Sequence, residues 1–221
     1  MPPKELKRPE FTESEAAQLA QALYGVAGDI TELTSYIDQN FLIRDTSGAR
    51  YVLKIANTHE PPDELDLQTQ AMQYLVAHHT RELYPNVCKT KSGEVAATIE
   101  SKTGARHIVR MLTYLPGKPL AQVKPHSPGL LHGLGVFLGE MDKTLAGFDH
   151  PARRDDFRWS FHNAAATTRA HIDYIHDAQR RGLVEKHLGQ FEALVTPVIH
   201  ELRAHFVHHD ANDYNVLAQT C

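Results

Sequence analysis

Apolar residues follow two different periods along this chain, and the change between them divides it. Residues 1–11 are polar and proline-containing and are expected to form a flexible head. Thr12-Glu13-Ser14-Glu15 then leads into Ala16 to Leu23, where a hydroxyl N-cap, acids in the first turn and a run of alanine and leucine predict a short helix. Phe41 to Arg44 and Tyr51 to Ile55 are rich in aromatic and β-branched residues and flank Asp45-Thr46-Ser47-Gly48, the chemistry of a turn. This pattern predicts a β-hairpin, with Tyr24 to Tyr36 pairing on it as a first strand and loop. Pro61-Pro62 opens a helix over Asp63 to His78, with Leu65, Met72, Leu75 and Val76 on one side. Two further strands are predicted at Glu94 to Ser101 and Arg106 to Leu112, around Lys102-Thr103-Gly104-Ala105.

Beyond Pro116-Gly117-Lys118-Pro119 the period becomes helical. Leu131, Leu134, Phe137, Leu138, Met141 and Leu145 form one apolar face over Leu130 to Leu145, predicted to be buried. Arg158 to Arg181 and Val184 to Phe206 read as two more helices, the second interrupted near Pro197. Pro116-Gly117 is therefore the predicted boundary in an α+β architecture: an antiparallel β-rich lobe over residues 12–115 and a helical lobe over 116–221.

Composition narrows the classes. A hydrophobic content of 42% in 221 residues is enough for a folded core. The net charge of −4 is spread without a basic stripe, which argues against nucleic acid or a membrane surface as partner. The first ten residues contain no apolar stretch of the kind that directs secretion, and Cys88 and Cys221 make no disulfide framework, so a cytoplasmic protein with free thiols is expected.

The strongest chemical signal is His208-His209-Asp210-Ala211-Asn212-Asp213-Tyr214-Asn215, with the spacing H-x-D-x-x-x-x-N. That spacing belongs to the phosphoryl-transfer loop of protein kinases, where the acid orients the acceptor hydroxyl and the amide holds a metal ion on the phosphates. Lys54 in Val52-Leu53-Lys54-Ile55 stands where a strand lysine reaches the α and β phosphates of a nucleotide, although a lone strand lysine is more often a surface residue. The helix that follows carries Glu64 and Asp66, either of which could pair with it.

Together with Tyr24-Gly25-Val26, Ser35 to Phe41, Tyr51 to Ile55, Gln68 to Met72 and Tyr114-Leu115-Pro116-Gly117, these residues resemble the aminoglycoside phosphotransferase and choline kinase superfamily, in its hydroxylysine-kinase-like branch. The resemblance covers about Tyr24 to Leu217. It implies a two-lobed protein-kinase-like fold and an ATP-dependent small-molecule kinase acting on a hydroxyl of a small amine or amino acid, with ATP and Mg2+ as cofactors. Carried over by position, it makes Asp210 the catalytic base, Asn215 a magnesium ligand, Lys54 the phosphate-binding lysine, and Asp66 its partner with Glu64 in reserve. His208 would brace the loop, and the backbone of Thr113 to Leu115 would bind adenine behind Leu112. The branch also includes kinases fused to class III aminotransferases, which implies such a domain as a fused or separate partner.

Two departures stand out. Val26-Ala27-Gly28-Asp29-Ile30 is not the G-x-G-x-x-G cover of protein kinases, and no Asp-x-Gly-like segment follows Asn215. The resemblance thus places the second metal ligand and further helices beyond Cys221, leaving the helical lobe incomplete. The competing reading is a non-catalytic kinase-like or accessory module. Zinc at His205, His208, His209 and Asp210 lacks a supporting ligand pattern, and a helical HD-type phosphohydrolase conflicts with the β-rich first half. The aromatic run Phe157 to His162 reads equally as packing or as a pocket wall, and Asp142 and Asp149 as surface or capping acids.

Overall fold

The computed structural model describes residues 8–79, 83–154 and 160–219. They fall into two compact units, Met1–Phe148 with Phe206–Cys221, and Asp149–His205.

The first unit begins with α1 (Glu13–Tyr24), held by a complete capping box: Thr12 Oγ1 accepts from the Glu15 amide while the Glu15 carboxylate accepts from the Thr12 amide. Gly25 closes the helix at φ 73°, a left-handed conformation that glycine adopts without a Cβ penalty. A meander follows, β1 (Gly28–Leu33), β2 (Gln39–Asp45) and β3 (Arg50–Ile55), each antiparallel to the last. Asp45 Oδ1 accepts from the amides of Ser47 and Ala49 and so shapes the predicted turn. After α2 (Pro62–His78) come β4 (Val87–Cys88), β5 (Ala97–Glu100) and β6 (Arg106–Thr113). β6 enters the sheet beside β3 and carries β4 and β5 as partners. The antiparallel sheet and the helix between its third and later strands match the sequence expectation; two-residue β4 has too few positions to show a period and was not foreseen.

Alternation along the strands sorts two faces. Phe41, Ile43, Leu53, Ile55, Val109 and Met111 are buried together with Ala16 and Ala20 of α1. The side chains between them in sequence point to the other face, so Asn40, Lys54 and Arg110, which lie in register on β2, β3 and β6, form one polar row across the sheet.

The strand β6 leads through Pro116-Gly117 to β7 (Lys118–Pro119), still inside the first unit, and then to α3 (Pro128–Leu145), capped by Ser127. The apolar face expected on α3 is buried only at its end, at Met141 and Leu145, which pack with Leu75 and Tyr84; Leu131 is 50% exposed.

The second unit holds α4 (Ala164–His171) and α5 (Ala178–Leu194), joined by the bidentate pair Arg169 with Glu192. The expected continuous helix from Arg158 to Arg181 is broken. Residues 155–159 lie outside the described residues, α4 ends at His171, and Asp177 Oδ1 accepts the Arg180 amide at 2.8 Å, starting a new helix. The helix expected to run to Phe206 stops at Leu194, and Thr196–Glu201 forms a 3-10 turn containing Pro197, whose ring and missing N–H do not suit an α-helix interior. No helix among the described residues is long and apolar enough to cross a membrane.

Candidate active site

A separate two-residue ladder ties the end of the H-x-D-x-x-x-x-N segment to the chain beyond β6. β8 (Leu217–Ala218) pairs antiparallel with β7, and outside the ladder Leu120 N donates to Val216 O and Ala121 N to Asp213 O. Gly117 permits this approach: at φ 140° it sits where an added Cβ would lie 3.1 Å from both Ala218 O and Leu217 Cβ. The chain leaving β6 is therefore bonded directly to the residues that follow the loop. None of these contacts has a sequence period, so only the fold reveals them.

Within the loop the side chains converge on Asp210. Asn215 Nδ2 donates to both Asp210 O and Asp210 Oδ2 at 2.8 Å, and Asn212 Nδ2 donates to Asp210 Oδ1 at 2.8 Å. Asn212 Oδ1 in turn accepts from the amides of Tyr214 and Asn215, and His208 Nδ1 accepts from the Asp210 amide at 3.3 Å. His209 has φ 66°, a left-handed conformation uncommon outside glycine, immediately before Asp210. With its amide nitrogen committed to Asp210, Asn215 has its carbonyl oxygen on the side away from that carboxylate. The carbonyl oxygen of Asn215 is thus left as an oxygen donor of the kind that suits a hard divalent cation completing its shell with phosphate and water. No group of three or more His, Cys, Asp or Glu able to hold a metal occurs among the described residues.

On the sheet, Lys54 is half-buried and, among the described residues, makes no hydrogen bond or close ion pair. Burial lowers its pKa, the charges of Asp38 and Glu60 oppose that fall, and Arg110 adds to it. Arg110 is 3% exposed and donates to Leu65 O, Thr69 Oγ1 and Gln68 Oε1, which fastens α2 to the sheet. Asp66 is exposed and accepts from Gln70, while Glu64 acts on Glu60, whose pKa is raised by burial and then by Glu64 and Asp38. Asp38 and Glu60 lie in loops, and no helical or strand period singles them out.

At the expected adenine edge, Thr113 N donates to Asn86 O and Tyr114 N to Arg50 O. Among the described residues the Leu115 N–H has no such backbone partner, so it is the available donor of the three. Leu112 is nearly buried, flanked in register by Val52 and Val87.

A lysine strand behind a helix, followed by an acid and an amide converging in one loop, defines a phosphotransferase-type fold. The profile of the phosphotransferase enzyme family (APH) matches residues 29–220, and the chain belongs to that family. It is 32% identical over 231 residues to a hydroxylysine kinase of Bos taurus, covering 96% of this chain and 60% of that protein. A hydroxylysine kinase of Xenopus laevis is 33% identical over 226 residues, with coverages of 96% and 60%. The chain thus spans about 60% of the length of the curated relatives it matches. Among solved structures it resembles an amicoumacin kinase in complex with AMP-PNP and Ca2+, with a TM-score of 0.61, 17% identity and coverages of 88% of this chain and 55% of that one. A microcompartment-associated aminopropanol kinase follows, with a TM-score of 0.53, 16% identity and coverages of 71% and 48%.

Proposed function

We propose that the protein is an ATP-dependent kinase that phosphorylates a hydroxyl of a small amine or amino acid, with hydroxylysine as the first acceptor to test. The observation that carries this reading is the clamp of Asn215 on both the main chain and the carboxylate of Asp210. It holds the acid and the amide side chain of Asn215 in one fixed geometry, with the amide nitrogen on the acid, and such positioning is what in-line phosphoryl transfer rests on. The named activities of the hydroxylysine kinase relatives support the choice of acceptor.

In this reading Asp210 accepts a hydrogen bond from the acceptor hydroxyl, aims its oxygen at the γ-phosphorus and takes its proton as the bond forms. The hydroxyl oxygen displaces ADP, whose β-phosphate oxygen leaves with the bonding pair. Lys54, with a half-buried ammonium lacking a close partner, binds the α and β phosphates, and Leu115 N–H binds adenine. Asn215 would hold Mg2+ through its carbonyl oxygen, and the ion would supply charge neutralisation at the phosphates.

Titration calorimetry with ATP and Mg2+ tests this, followed by assay of ADP release with hydroxylysine and other amino alcohols. Binding that Lys54→Ala abolishes, and transfer that Asp210→Asn abolishes while nucleotide affinity stays within about threefold, about 0.6 kcal/mol, is the expected result. Equal turnover by Asp210→Asn would remove Asp210 from the mechanism.

A further inference from the structure

Arg110 is 3% exposed, and its guanidinium carries a full set of N–H donors that burial leaves to the protein to satisfy. Nη1 donates to Leu65 O and Thr69 Oγ1, and Nη2 donates once, to Gln68 Oε1. Nε–H and the second hydrogen of Nη2 therefore make no hydrogen bond among the described residues. Among the same residues no carboxylate pairs closely with Arg110; Asp38 and Glu60 act on it from beyond ion-pair distance. A buried charge without a close counter-ion is unfavourable, so an added anionic group would be stabilising here.

Arg110 also lines a cavity of about 210 Å3 between α2 and β5. Val109 is in register with Ile55 of β3 on one side and Ala97 of β5 on the other, so this cavity lies across β6 from Lys54. The residues lining it include none of Lys54, Asp210 and Asn215. Its walls are apolar, from Leu65 on α2, Val95 ahead of β5 and Ile108 on β6. Asp66, exposed and accepting from Gln70 Nε2, is at its rim. The cavity is smaller than the roughly 300–1,000 Å3 that takes a drug-sized ligand, so a small molecule fits it. A cation at the floor, an acid at the rim and apolar walls between them are complementary to a zwitterion with an aliphatic side chain.

We propose that this cavity binds a small apolar α-amino acid. The carboxylate takes the unused donors of Arg110, the ammonium lies beside Asp66, and the side chain packs against Leu65, Val95 and Ile108. The same guanidinium holds Leu65, Thr69 and Gln68, so an occupant ties α2 more firmly to the sheet and stabilises the fold. The site is separate from the residues assigned to phosphoryl transfer, and it stands whether or not the chain binds nucleotide.

Calorimetric titration of the full chain with L-leucine, without nucleotide, tests this. Two half-molecules accompany it: isocaproate, which is leucine without its ammonium, and isoamylamine, which is leucine without its carboxylate. L-leucine should bind at millimolar concentration or tighter and raise Tm, and each half-molecule should bind at least tenfold more weakly. Two variants place the site. Asp66→Asn removes the charge at the rim, and Thr98→Phe, suited to an exposed strand position, fills the space beside Ile108. Both should melt as wild type does without ligand and lose leucine affinity at least tenfold. If one variant does not fold by circular dichroism, the other decides. No leucine binding to wild type at tens of millimolar, isocaproate binding as tightly as leucine, or undiminished leucine affinity in a folded variant would each overturn the proposal.

Discussion

Replacing Thr69 by valine keeps the side chain's shape and removes one oxygen from the junction between α2 and the sheet. Thr69 is 2% exposed; its Oγ1 donates to Leu65 O at 2.7 Å and accepts from Arg110 Nη1 at 3.0 Å. A hydrogen bond to a charged group contributes about 1.5–3 kcal/mol. The methyl that replaces the hydroxyl returns about 0.8 kcal/mol by burial. Arg110 Nη1 also keeps its bond to Leu65 O, so the guanidinium is not stranded. The net loss should be about 1–2 kcal/mol, which for a chain of this size lowers Tm by about 2–8 °C. Thermal melts followed by circular dichroism measure this, and a double-mutant cycle with Arg110→Met isolates the pair. Once the charged donor is gone, Thr69→Val should be neutral or slightly stabilising. An equal loss in both backgrounds, or an unchanged Tm in the single variant, would refute the argument that this hydroxyl serves the buried guanidinium.

Three other outcomes follow from separate parts of the fold. Gly28→Ala should cost more than about 2 kcal/mol, because its Cβ would stand 1.9 Å from Arg44 O and 2.7 Å from Asp45 Cα, backbone atoms of the paired strand that cannot step aside; a denaturant midpoint equal to wild type would contradict this. The Glu15 carboxyl is held down from its ordinary 4.5 to about 2, first by Lys102 and then by the Thr12 cap. Its stabilisation is therefore present above pH 4.5 and lost as pH falls toward about 2, and Glu15→Gln should flatten that part of the stability profile. At His209, with φ 66°, isoleucine should be less stable than glycine by about 1–2 kcal/mol; equal unfolding midpoints for His209→Ile and His209→Gly would show that the loop does not need this conformation.

What the sequence determined by itself is whatever short-range forces specify. The capping box at Thr12 and Glu15, the Asp45-to-Gly48 turn and the alternation through Leu53, Lys54 and Ile55 each involve neighbours in the chain, so the helix, the hairpin and the outward-facing lysine were legible. The H-x-D-x-x-x-x-N spacing was legible for the same reason, since Asn215 reaches back only five residues to Asp210. The break before α5 was missed where a local cap, Asp177, overrode a helical period that continued through it. Tertiary structure alone decided the rest. The acids acting on Lys54 come from loops on either side of it, and their identity depends on how strand register and the packing of α2 bring distant loops together. Likewise the β7 and β8 ladder joins residues about a hundred positions apart through two residues each, too short for any period to announce, yet it ties the residues after the Asp210 loop to the chain beyond β6. Local chemistry could name the residues; long-range register, which a single sequence does not encode in any local pattern, chose their neighbours.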